Sequence, residues 1–121
     1  MKYLCLVYFA PGALADLSDE EREALDRESL AYDAELARRG HFIAASALRG
    51  PATAKTLRPR GAKRIVTDGP FTETKEVLGG FVFVEARDED EAIEIASLIP
   101  VGRYAAIEVR PEFDFAPGLE S

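Results

Sequence analysis

The side chains best suited to hold or move a proton lie at separate places along the chain. Ser29 and Tyr32 stand about one helical turn apart, so both hydroxyls project from one helix face. Asp68 sits where a strand gives way to Gly69-Pro70, and Glu73, Lys75 and Glu76 follow in a charged loop. Arg103 and Tyr104 open the last apolar stretch, where they could reach a ligand or a second subunit. A carboxylate such as Asp68 can act as a general base or anchor a ligand, and Lys75 can face an anion. Each candidate also has a plain structural reading. Asp before Gly-Pro fixes a turn by accepting backbone N–H bonds, loop charges pair weakly with one another, and Tyr32 shares its stripe with Leu25 and Leu36 as an apolar filler.

Composition removes other chemistries. With one histidine, His41, and one cysteine, Cys5, a zinc or other transition-metal centre lacks ligands. Cys5 lies between Leu4 and Leu6 and reads as an inert buried thiol, while His41 follows Gly40 and reads as a surface residue beside a helix terminus. No nucleophile-and-base pair, phosphate loop or dinucleotide fingerprint is present. Catalysis would therefore be acid/base chemistry without a cofactor, such as a lyase or isomerase step on a small organic acid with Asp68 as proton acceptor. A net charge of -7 argues against nucleic acid as a direct partner. The densest basic region, Lys55 to Arg64, holds five cations interrupted by Pro59 and Gly61 and reads as a solvated hairpin, with a weak anion site as the alternative. No signal peptide or bilayer-length apolar stretch is evident, so the expected compartment is the cytoplasm.

The elements that must position these residues follow from patterning. A chain of 121 residues with 47% hydrophobic content suits one α+β domain with a real core. Tyr3 to Phe9 is apolar at every position, as in a central strand covered on both faces. Ser18 with Glu21 predicts a capping box opening a helix that Gly40 closes. Phe42 to Leu48 reads as a strand, Thr53 to Leu57 and Lys63 to Thr67 as a hairpin joined through Pro59-Arg60-Gly61, and Gly80 to Ala86 as a second central strand. Asp88, Glu89 and Glu91 open a second helix that Pro100 closes, and Arg103 to Arg110 supplies the last strand. The domain spans residues 1–113 and the tail 114–121.

This order contains two strand-helix-strand halves, the pattern of a ferredoxin-like sheet with two helices on one face and an inserted hairpin. Two helices leave the other face bare, although Tyr3 to Phe9 and Phe81 to Val84 are apolar on both sides. A second copy of the chain is the economical cover, so a homodimer is expected.

With the elements placed, Thr67-Asp68-Gly69-Pro70-Phe71-Thr72-Glu73-Thr74-Lys75-Glu76 and Gly79-Gly80-Phe81 resemble the signature of the YCII-related family, in its DGPF branch. Met1-Lys2-Tyr3-Leu4, Pro51-Ala52-Thr53-Ala54 and Ile107-Glu108-Val109-Arg110-Pro111 extend the resemblance along nearly the whole chain. It implies a dimeric α+β barrel with a pocket between sheet and helices. Relatives include a dehydrochlorinase of aromatic-ring breakdown that uses a His and an Asp. The DGPF branch is often encoded beside extracytoplasmic-function sigma factors, which implies a sigma factor as partner in a second, non-enzymatic reading. At the position where many relatives carry the His, this chain has Ser29, and His41 is no substitute by spacing. The His/Asp mechanism therefore does not carry over intact, and a relative that only binds its ligand is a third reading. The first reading is a homodimeric small-molecule-binding protein with a pocket lined by Ser29, Tyr32 and Asp68, within reach of Lys75 and Arg103.

Overall fold

In a computed structural model, which describes residues 1–71 and 75–115, the chain opens with strand β1, Lys2–Phe9. Helix α1, Asp19–Arg38, starts from the predicted capping box. Ser18 Oγ accepts from the Glu21 amide at 3.1 Å, and the Glu21 carboxylate accepts from the Ser18 amide at 3.0 Å. These bonds satisfy amides that the first turn leaves without partners. The helix buries Leu25, Tyr32 and Leu36, the stripe its spacing predicts. β2 is Phe42–Ala47, β3 Lys55–Arg60, β4 Lys63–Asp68 and β5 Val77–Glu85. Helix α2, Glu89–Ser97, is capped by Asp88, whose carboxylate accepts from the Glu91 amide at 2.9 Å. A 3₁₀ turn over Pro100–Arg103 leads to β6, Ala106–Pro111.

β2, β5, β1 and β6 form one four-stranded sheet in that order, antiparallel throughout. β1 and β5, the strands apolar on both faces, are the two central ones. Their register sets Tyr3 opposite Val84 and Cys5 opposite Val82, so these side chains share the face covered by the helices. With Leu36, Ala92, Ile95 and Ile99 they make the core. The intervening pairs, Leu4 with Phe83 and Leu6 with Phe81, point to the other face. They are only half-buried.

Several boundaries differ from expectation. β3 runs through Pro59, and the reversal falls at Gly61, whose φ of 61° suits glycine. Pro59 is tolerated there because β3 has a neighbour on one side only. The final strand starts at Ala106 rather than Arg103, because Pro100 and Gly102 favour the tight 3₁₀ turn that absorbs Arg103. β5 begins at Val77, three residues before the expected Gly80. Its Gly79 forms a bulge, since Val7 pairs with Gly80 and Tyr8 with Leu78.

Gly80 has a packing reason. A Cβ there would lie 2.6 Å from the Ser46 carbonyl oxygen and 3.3 Å from Ala47 Cα, both on β2. Gly80→Ala should push β2 off β5 and cost about 1–3 kcal/mol, the usual penalty of overpacking. Thermal unfolding checks this; an unchanged midpoint would mean that β2 yields freely.

Candidate functional site

Between the middle of α1 and the sheet lies a cavity of about 590 Å³. Small residues make up part of its wall. Ser29 on the helix stands over Ala45 and Ala47 of β2 and Gly79 and Gly80 of β5, none of which reaches far from the backbone. Farther along α1, Leu36 is fully buried in the core and is not on the wall. The Phe9 ring lies against Gly79, where an added Cβ would come within 2.4 Å of it, and forms part of the wall. Pro100 and Val101 of the 3₁₀ turn close another side.

The polar groups on this wall come from one helix face. Asp26, Ser29 and Asp33 recur at intervals of three and four residues and all line the cavity. Ser29 and Asp33 are half-buried. Burial raises the Asp33 carboxyl above its ordinary value, because the charged form loses water. Tyr32 presents its ring to the cavity while its hydroxyl donates to the Ile95 carbonyl at 2.7 Å, tying α1 to α2. Burial pushes that phenol up to about 12, so it stays protonated across the physiological range. Cys5 is fully buried and its thiol is pushed up to about 11, which leaves it unreactive.

The remaining candidates lie elsewhere. Asp68 ends β4 with its side chain 85% exposed and pairs with Lys55 across the hairpin. It is not on the cavity wall, and the adjoining Gly69, with φ of 95°, makes the turn. Lys75 is exposed and also off the wall. Glu73 lies outside the described residues. Arg103 makes an ion pair of 2.9 Å with Glu28 of α1, so it braces the 3₁₀ turn against the helix beside the cavity. His41 Nδ1 lies 2.9 Å from the Glu85 carbonyl oxygen, on the sheet rather than in the cavity. Ser29 and Tyr32 are thus brought together, and Asp68, Lys75 and Arg103 are not on the wall with them. Asp33 was missed by reasoning from sequence, although its place four residues after Ser29 was a signal.

Comparison with known proteins places this architecture. A model of the YCII-related domain matches residues 1–116. The chain belongs to the YCII-related family. An uncharacterised relative, R00369 of Rhizobium meliloti (strain 1021), is 33% identical over 98% of this chain and 97% of its own length. The fold is similar to that of 5-chloro-2-hydroxyhydroquinone dehydrochlorinase from Burkholderia phenoliruptrix AC1100, solved in complex with 2,5-dihydroxybenzoquinone. That similarity has a TM-score of 0.54 at 22% identity, covering 93% of this chain and 94% of the other. Among the described residues of this YCII-related domain, no helix is long and apolar enough to cross a membrane.

The raised Asp33 carboxyl gives a stability prediction with a definite sign. The folded state holds this proton to higher pH than the unfolded state does. The resulting stabilisation is present below the ordinary carboxylate value and is lost as pH rises through the folded value. Asp33→Asn should therefore raise the unfolding temperature near pH 7, with the gain shrinking in acid. A gain independent of pH would show that the buried charge is not its source.

Proposed function

We propose that this YCII-related domain binds a small, uncharged organic molecule in the cavity beneath α1, with Asp33 as the proton acceptor of a cofactor-free lyase or isomerase step. The observation that carries the reading is a cavity in which an apolar sheet wall faces Ser29 and Asp33 on adjacent turns of one helix. Its volume of about 590 Å³ falls within the range of sites for small molecules, roughly 300–1,000 Å³. Two carboxylates and no Lys or Arg line it among the described residues. An anionic acid would meet repulsion there, so a neutral ring bearing hydroxyl groups fits better.

The ring would lie between Phe9, Tyr32 and the glycine-rich strand. Ser29 Oγ would hold a ring oxygen, while Asp33 takes a proton from a ring hydroxyl and returns it to the halogen-bearing carbon. Halide leaves that carbon with the C–X electron pair as the second hydroxyl loses its proton and the ring becomes a quinone. A carboxyl raised toward neutral pH is a stronger base than an ordinary one, which suits it to that step. The similar dehydrochlorinase is named for a hydroxylated, chlorinated ring of this chemical class. Serine in place of the relatives' histidine leaves the carboxylate as the site's proton acceptor.

The protein would work as a homodimer. The half-buried Leu4, Leu6, Phe81 and Phe83 on the bare sheet face support this, since a second copy could cover them. The reading as an interaction protein for an extracytoplasmic-function sigma factor takes second place, because no cavity feature serves it.

Calorimetric titration with chlorohydroquinone, a neutral ring near pH 7, and turnover of halogenated hydroquinones test the proposal. Wild type should bind. Gly79→Ala, whose added Cβ would clash with the Phe9 ring on the cavity wall, should weaken binding at least tenfold. Asp33→Asn should lower turnover by about 10²-fold or more, the usual worth of general-base catalysis. Asp68→Asn should stay within about twofold, given the small worth of exposed pairs. The reverse pattern would return the base to Asp68, and no binding by folded wild type would sink the proposal.

A further inference from the structure

The β3–β4 hairpin is an arm with an apolar pair that nothing among the described residues covers. Leu57 and Val66 are direct cross-strand partners, so both rise from the same face, and they are 55% and 59% exposed. A two-stranded hairpin is marginal in water by itself, and this one joins no strand of the main sheet. Its opposite face is secured by the Asp68-Gly69-Pro70-Phe71 segment. Thr56 Oγ1 donates to the Gly69 carbonyl at 2.7 Å, and the Gly69 amide donates to the Ala54 carbonyl at 2.8 Å. Arg58 donates to the Phe71 carbonyl at 3.0 Å, with its guanidinium 4.3 Å from the centroid of that ring. Thr56 and Arg58 alternate with Leu57, so these contacts stiffen one face and leave the apolar pair presented on the other.

Charge identifies what this face would meet. Residues 55–68 hold five cations and one carboxylate, which leaves ten cations against 21 carboxylates in the rest of the chain. The arm is a basic projection from an acidic molecule, so the rest of a second copy is its electrostatic complement. The cavity mouth matches the arm's pattern. Leu30 on its rim is 70% exposed, with Asp26 one turn before it and Asp33 one turn after. On the arm, Arg64 sits opposite Pro59 on the same face as Leu57 and Val66.

We propose that the arm of one protomer docks across the cavity mouth of its partner. Leu57 and Val66 cover Leu30, and Arg64 approaches Asp26 on the exposed rim, so that each site is completed by the other subunit. This rests on the homodimer reading above and adds a partner residue to its site.

Sedimentation equilibrium of the full chain tests it, with circular dichroism confirming that each variant is folded. Wild type should be a dimer, and Leu57→Asp with Val66→Asp should raise the dimer Kd at least tenfold. Arg64→Glu and Asp26→Arg should each weaken the dimer, and their combination should recover most of the loss. Ile93→Asp, on the exposed side of α2, should leave the Kd unchanged. A monomeric wild type would remove the homodimer and the arm's role together. A dimer whose Kd ignores every arm variant would keep the homodimer and overturn the docking, as would failure of the charge swap to recover. Binding of a short DNA duplex that the arm variants abolish, with dimer constants unchanged, would reassign the arm to a polyanion.

Discussion

A four-stranded sheet has two faces, and both helices of this chain lie on the same one. The central strands β1 and β5 are nonetheless apolar on both sides, because their alternating side chains must serve both faces. The helix-covered side holds the core. The other side shows Leu4, Leu6, Phe81 and Phe83 half-buried. The register of β1 against β5 decides which residues go where, since a slip of one position would exchange the two sets.

The helix-covered face is itself unevenly filled. α1 is 20 residues long and α2 only nine, and α2 packs over β1 and β6. The β2 and β5 side lies under the middle of α1, where Ala45, Ala47, Gly79 and Gly80 line the cavity together with Ser29. The cavity's chemistry follows from helical spacing, which sets Asp26, Ser29 and Asp33 on the face that looks into it. The same enclosure that makes room for a ligand strips water from Asp33 and raises its carboxyl. A carboxylate in such a place weakens the fold near neutral pH, a cost that a proton-accepting role would explain.

Much of the fold was legible because its signals are local. Ser18 with Glu21, and Asp88 with Glu91, satisfy helix amides within one turn, and each helix begins where these pairs predict. The uninterrupted apolar runs of β1 and β5 marked them as central. The misjudged boundaries were those where glycine and proline act through their neighbours. Gly79 is a bulge inside a strand because Phe9 lies against it, and Pro100 with Gly102 extends a turn that delays β6. The site was only half legible. Ser29 and Tyr32 could be set on one face by spacing, but Asp33 resembled any carboxylate on a solvated helix until the sheet wall opposite was known. The position of Asp68 depends on how the hairpin stands against the sheet, a tertiary relation that no local pattern encodes.

The most direct measurement is a crystal structure of the protein grown with millimolar chlorohydroquinone. The account predicts density for the ring between Phe9, Tyr32 and the Gly79-Gly80 strand, with a ring oxygen within hydrogen-bond reach of Ser29 Oγ and the Asp33 carboxylate. A cavity closed by side chains, with Asp33 turned to solvent and the compound absent or bound elsewhere, would contradict it.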